Sequence, residues 1–122
     1  MLRDVEGGVH SGAERDIARL CRNYGIPQPT RQRSRLDSAG RRRWTDCEWP
    51  LPGGRALVLE VDGSFHMEVA QWTADLRRAR RLTTPDRVVV RASAFEVRHE
   101  PGEVARDLIA LGVRPLVVRS CA

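Results

Sequence analysis

Residues 57–66 read Leu57-Val58-Leu59-Glu60-Val61-Asp62-Gly63-Ser64-Phe65-His66. This pattern is typical of a buried strand that ends in two carboxylates, a glycine turn and a histidine. Side chains alternate along a strand, so Glu60 and Asp62 share one face. Two acids at the end of an apolar strand are costly to bury unless something neutralises them, and a divalent cation would do so. The alternative is a strand that ends in solvent, with both acids hydrated.

The segments before this stretch predict a helix and two strands. Ser11 with Glu14 three residues later has the spacing of a capping box, and Gly25 stands where a helix would end. Glu14 therefore has a purely structural explanation as a cap partner. Residues 30–36 and 42–49 are predicted to form an antiparallel hairpin around a turn at 37–40. A short link then leads into the strand at 55–61, which we expect to pair with its predecessor.

The segments after it predict two more helices and one more strand. Residues 67–82 have helical periodicity, residues 87–91 form a β-branched run, and Pro101 opens a helix that ends before Gly112. Residues 93–99 fit either a helical turn or an extended edge. The predicted order is helix, three-stranded meander, helix, strand, helix, with a central mixed sheet flanked by helices, which makes the fold α/β.

One apolar stripe in the 67–82 helix decides how its tryptophan is interpreted. Val69, Trp72, Leu76 and Ala79 recur at helical spacing. The spacing predicts that they form the buried face of the helix. On that basis core packing is preferred for Trp72, and stacking on a base is the alternative.

The composition points to a polyanionic partner. The 122 residues are enough for one domain, and all 21 basic residues are arginine, which leaves a formal net charge of +5. Two clusters carry much of this charge and predict phosphate contacts, although a charge run is often only a solvated face. The predicted nucleic-acid-binding residues are Arg41, Arg42, Arg43, Arg77, Arg78 and Arg81.

Several classes of protein are excluded or disfavoured. No run approaches the roughly 18 apolar residues of a membrane span. The N-terminus lacks the apolar core of a signal peptide, so the expected location is the cytoplasm. Cys21, Cys47 and Cys121 are odd in number and far apart, which argues against a disulfide framework and against a zinc site.

A second acid on the neighbouring strand suggests a metal site. If the strand at 42–49 pairs with the strand at 55–61, Asp46 can converge with Glu60 on one ion, since adjacent strands lie about 5 Å apart. Oxygen-only ligands suit Mg²⁺ or Mn²⁺. Such an ion would activate a water molecule and offset the charge on a transferring phosphate.

A set of acidic residues and a histidine, taken in their order along the chain, resembles the site of the PD-(D/E)xK nuclease fold. It comprises Glu14 in a first helix, Asp46 on one strand, Glu60-x-Asp62 on the next, and Gly63 and His66 before a helix rich in arginine. The nearest resemblance is to the branch of very-short-patch repair endonucleases and the related uncharacterised actinobacterial endonuclease-domain proteins. It spans roughly residues 10–112 and implies a restriction-endonuclease-like arrangement.

The resemblance implies roles for individual residues. Asp46 and Glu60 match the metal-binding acids, with the backbone carbonyl of Val61 as a further ligand. Glu14 matches an acid that some members supply from the first helix, and His66 matches a candidate general acid or base near the scissile phosphate. Asp62 falls where the wider superfamily has lysine. We expect His66, or an arginine such as Arg77, to substitute for that lysine.

These observations predict a Mg²⁺-dependent endonuclease that hydrolyses DNA in repair. The alternative is a catalytically inactive nucleic-acid-binding module of the same fold. A toxin-like partner or a plain interaction domain stays open. The predicted organisation is a flexible lead-in at 1–9, the endonuclease-like domain at 10–112 and a tail at 113–122. The resemblance also leaves open a homodimer and a missing N-terminal DNA-docking segment.

Overall fold

The computed structural model describes residues 2–62 and 69–116, with only the backbone described for residues 2–11 and 44. The elements follow one another in the order α1, β1, β2, β3, α2, β4, α3, α4. Their bounds are Leu2–Tyr24 for α1, Thr30–Leu36 for β1, Arg42–Leu51 for β2, Arg55–Asp62 for β3, Val69–Leu82 for α2, Arg87–Ser93 for β4, Ala94–His99 for α3 and Pro101–Ala110 for α4.

The described strands form one four-stranded mixed sheet in the order β1-β2-β3-β4. The first two pairings are antiparallel, and β3 pairs with β4 in parallel. The parallel pair needs a crossover connection, which α2 supplies. At the β1–β2 turn, Asp37 Oδ1 accepts hydrogen bonds from the backbone N–H groups of Ala39 and Arg41, each at 2.9 Å. The predicted α/β class, with a mixed sheet and helices, is confirmed.

The core lies between the sheet and helices α1, α3 and α4. Leu57 and Leu59 of β3 are buried there together with Trp49 of β2. The helices contribute Ile17, Leu20, Val97, Val104 and Leu108 to the same cluster. Alternation along β3 turns Val58 and Glu60 to the other face of the sheet, where α2 lies. The two faces therefore differ, since one is an apolar core and the other carries the acids.

The predicted start of the first helix needs correction. Helix α1 begins at Leu2 and not at Ser11, so Ser11 lies inside the helix and the capping-box interpretation is wrong. In the sequence, Leu2, Val5 and Val9 recur at three- and four-residue intervals, a helical period that the prediction of a start at Ser11 did not take into account. A capping box does exist elsewhere, because Ser93 and Glu96 cap α3 reciprocally at 3.0 and 3.1 Å. The flexibility of residues 1–9 stays a prediction.

The predicted burial of the α2 stripe is wrong. Val69, Trp72 and Leu76 are 78%, 53% and 40% exposed, and the buried residue of the helix is Leu82. The physical reason is that α2 turns Asp75 and Arg78, and not its apolar stripe, towards the acids of β3. Among the described helices, none is long and apolar enough to cross a membrane.

Candidate active site

Two acids on neighbouring strands meet at the end of the β2–β3 ladder. The register pairs Cys47 with Leu59, and its continuation by one residue sets Asp46 opposite Glu60. The backbone N–H of Val61 donates to Asp46 Oδ2 at 2.9 Å, so the Asp46 carboxylate is held against β3. The Asp46 carboxylate is close enough to that of Glu60 to raise its pKa, and both line one cleft. The structure therefore brings together the two acids that the sequence singled out.

This contact makes Glu60 an unusual carboxylate. It is 7% exposed, and burial raises the pKa of Glu60 to about 7. The negative charge of Asp46 raises that pKa further, while the guanidinium of Arg78 partly opposes both effects. A buried acid beside another acid binds a proton more tightly, because two like charges in contact repel. The pair would bind a metal cation for the same electrostatic reason.

Arginines from α2 and β4 contact the acids of β3. Arg78 Nη1 lies 2.7 Å from Glu60 Oε1. Arg91 Nη2 lies 3.1 Å from Asp62 Oδ2 and 3.4 Å from Asp75 Oδ2. The arginine that reaches Glu60 is therefore Arg78, whereas its neighbour Arg77 is exposed.

These side chains line a cleft of about 220 Å³ between α2 and the ends of β3 and β4. Its lining comprises Asp46, Glu60, Val61, Asp62, Asp75, Arg78, Ala79 and Arg91. Four carboxylates face two guanidinium groups, so the fully ionised cleft would be negative. Sequence reasoning missed Asp75 and Arg91. The three-residue spacing of Asp75 and Arg78 on one helix was a signal that both would face the same side.

Two predicted catalytic residues are not brought to this cleft by the described part of the chain. Glu14 lies on α1, which packs on the opposite face of the sheet, and its Oε2 is 3.9 Å from Arg31 Nη1. Arg31 also donates to the backbone oxygen of Glu14 at 3.1 Å. Glu14 does not line the cleft. His66 lies outside the described residues, as does Gly63, so the role predicted for His66 stays a prediction.

Glu48, the other acid of β2, is buried and has a structural role. It is 3% exposed and accepts hydrogen bonds from Arg35 at 2.7 and 3.1 Å and from Thr45 at 2.8 Å. Burial alone would raise the pKa of Glu48, but the bonds from Arg35 and Thr45 outweigh burial and lower it. Glu48 therefore stays ionised in a buried ion pair with Arg35.

The two arginine clusters lie side by side. The backbone N–H of Ser38, in the β1–β2 turn, donates to the backbone oxygen of Arg81 at 2.9 Å. Arg41 and Arg42 are exposed near that turn, while Arg43 bonds Asp37 at 3.2 Å. On α2, Arg77 and Arg80 are exposed and Arg81 is half-buried. A basic surface therefore extends from the cleft, where Arg78 lies, to the hairpin turn.

The described residues contain no group of three or more His, Cys, Asp or Glu side chains placed to hold a metal ion. Any ion at the acid pair would therefore rest on two carboxylates with backbone oxygen and water. No family model, curated protein or solved structure matches the chain.

Proposed function

We propose that this protein is a metal-dependent endonuclease that hydrolyses phosphodiester bonds of DNA. The observation that carries the proposal is the contact between the Asp46 and Glu60 carboxylates in a cleft that also holds Arg78. Such an arrangement costs stability unless a proton or a cation relieves it. Carboxylates with strongly shifted pKa values cluster at functional sites. The PD-(D/E)xK identity of the fold is part of the same proposal.

The donor set of the acid pair fits Mg²⁺ or Mn²⁺. Asp46 and Glu60 supply hard oxygen ligands, and Val61 lines the same cleft, so its backbone carbonyl is the further ligand in this proposal. Mg²⁺ is commonly bound by one or two carboxylates together with water and substrate phosphate, so a set of only two acids is sufficient. When bound, the ion would supply a more acidic water molecule and neutralise charge on the phosphate.

Arg78 is suited to the part that lysine plays in the resembling nucleases. Asp62 occupies the lysine position, and Arg91 bonds it. Arg78 instead reaches the acid pair from α2, with its guanidinium 2.7 Å from Glu60. A guanidinium there can donate two hydrogen bonds to phosphate oxygens and stabilise the negative charge that grows on them.

The basic surface supports DNA as the substrate. Arg77 and Arg80 of α2 are exposed, as are Arg41 and Arg42 near the hairpin turn, and that turn is hydrogen-bonded to the C-terminal end of α2. Contacts of arginine with phosphate fix a nucleic acid in place without reading its sequence. We propose that this surface holds the strand whose phosphate enters the cleft.

Cleavage of supercoiled plasmid in the presence of Mg²⁺ tests this function. We expect the wild-type protein to nick the plasmid and EDTA to stop the reaction. Asp46→Ala should remove the activity, because it deletes one of the two carboxylates, while the exposed-surface variant Glu103→Ala should keep it. Nicking that survives Asp46→Ala, or that persists in EDTA, would reject the assignment.

A second candidate, the inactive nucleic-acid-binding module, is favoured by one observation. Glu60, Asp62 and Asp75 each have an arginine partner within the protein, so two guanidinium charges offset part of the charge of the four cleft acids without a metal. In that case Arg78 and Arg91 would be structural partners of these acids. Plasmid binding without nicking in Mg²⁺ and in Mn²⁺ would identify the module.

A further inference from the structure

The proposed cleavage reaction does not use a strip of exposed apolar side chains on α2. Trp72 is 53% exposed, and Val69 and Leu76 on the same side of the helix are exposed as well. Leu76 follows Trp72 by four residues and Val69 precedes it by three, so the three side chains form one continuous strip. An exposed tryptophan within an apolar strip marks a contact surface.

The strip lies at the rim of the acid cleft. Asp75 and Ala79 line the cleft and follow Trp72 by three and seven residues, so all three lie on neighbouring rows of α2. Trp72 therefore precedes Asp75 by about 4.5 Å along the helix axis. This separation corresponds to one or two nucleotides of a strand at about 3.4 Å each. A strand with a phosphate in the cleft would thus bring a neighbouring base to Trp72.

The charge beside the strip indicates what covers it. Arg80 is exposed and follows Leu76 by four residues, so it borders the strip on the side away from Asp75. Arg77 is exposed further round the helix. An aromatic side chain between an acid cleft and arginines matches alternating bases and phosphates, because bases stack on aromatic rings and phosphates bind arginine.

We propose that Trp72 stacks on an unpaired base of the nucleic acid whose backbone enters the cleft, which makes DNA with single-stranded or unpaired segments the preferred substrate class. The inference rests on the proposed nuclease function, since it takes nucleic acid as the partner. A base within a duplex has both faces covered by its neighbours, so only an unpaired or extruded base can lie on the indole. Val69 and Leu76 extend the apolar surface beneath that base.

Binding of a fluorescently labelled single-stranded oligonucleotide in EDTA tests the stacking separately from cleavage. We expect the wild-type protein to bind the single strand more tightly than the matching duplex. Trp72→Ala should weaken single-strand binding roughly tenfold, the order expected for loss of one stacked base. Trp72→Phe should stay within about threefold of wild type, because it keeps an aromatic face. Ile109→Ala, which removes an exposed apolar side chain from α4, should have no effect.

Tryptophan fluorescence gives a direct reading of the same contact. In a Trp44→Phe background the oligonucleotide should quench the emission, and adding Trp72→Phe should remove most of that quenching, because the remaining Trp49 is buried. Equal oligonucleotide affinities of wild type and Trp72→Ala would overturn the stacking. Self-association that Trp72→Ala abolishes, seen by sedimentation velocity without nucleic acid, would overturn it in favour of a second copy of the chain.

The failure of the stacking can be told apart from the failure of the nuclease function. If Trp72→Ala binds the oligonucleotide like wild type while Asp46→Ala loses plasmid cleavage, only the stacking is rejected. If the wild-type protein binds neither oligonucleotide nor plasmid and cuts neither, both are rejected. Circular dichroism should report an unchanged helix content in Trp72→Ala, since the side chain is largely exposed.

Discussion

Glu60→Gln should lower Mg²⁺-dependent plasmid cleavage by at least about a hundredfold. Glutamine keeps the shape of the side chain and its contacts with Asp46 and Arg78, but it removes the charge that would hold the ion. A metal ion contributes several kcal/mol to stabilising a phosphoryl transition state, and about 3 kcal/mol corresponds to a hundredfold change in rate. Initial rates of nicking at saturating Mg²⁺ measure this effect.

The same variant should not lose stability at neutral pH, which separates a functional role from a structural one. Replacing Glu60 by a neutral side chain removes the repulsion from Asp46 inside a buried site. Glu103→Gln, a matched change at an exposed position of α4, should leave both cleavage and stability unchanged. Wild-type cleavage rates in Glu60→Gln would exclude Glu60 as a metal ligand.

Folding stability in EDTA should fall as the pH rises from about 5 to 8, and Glu60 should account for much of the fall. Its pKa is about 7 in the folded protein against an ordinary value of 4.5, because burial and Asp46 disfavour the charged form. The folded state therefore holds a proton that the unfolded state has released. The contribution is complete below about pH 4.5 and is lost as the pH rises through about 7, a change of about 3 kcal/mol.

Urea unfolding of wild type and Glu60→Gln at several pH values measures this change. Other groups titrate in both proteins, so the useful quantity is the difference between the two free energies of unfolding. That difference should shift in favour of Glu60→Gln by roughly 3 kcal/mol between pH 5 and pH 8. Parallel pH profiles of the two proteins would mean that Glu60 does not have a raised pKa.

The acid pair could be predicted from sequence because strand pairing is local. A short link between two strands implies that they are neighbours, and alternation then puts Asp46 and Glu60 on one face. The hairpin turn carries its own signal in Asp37 and Gly40. These parts of the fold depend on residues that are close in the chain, so a single sequence contains enough information to locate them.

The cleft side chains that were missed come from elements distant in the chain. Arg91 reaches Asp62 and Asp75 only because β4 pairs in parallel with β3 and α2 crosses over the same end. Neither the crossover nor the rotation of α2 about its axis follows from helical periodicity. The periodicity of Trp72 and Leu76 identified a strip of one helix correctly, but it could not say that the sheet would face the other side.

The surroundings of Glu14, on the other face of the sheet, could not be predicted from the sequence for the same reason. Its position in a first helix was predicted, but which face of the sheet that helix covers depends on the packing of Ile17 and Leu20 against the core. That packing sets Glu14 beside Arg31. A carboxylate on one helix can be assigned to a site only when the face that the helix covers is known.

The most direct measurement is isothermal titration calorimetry of the metal-free protein with Mn²⁺. If Asp46 and Glu60 hold a divalent cation, the wild-type protein should bind Mn²⁺ at a site that Asp46→Asn and Glu60→Gln each abolish, while Glu103→Gln binds as wild type does. Binding heats that are absent from the wild type, or unchanged in Asp46→Asn, would contradict a metal site at the acid pair.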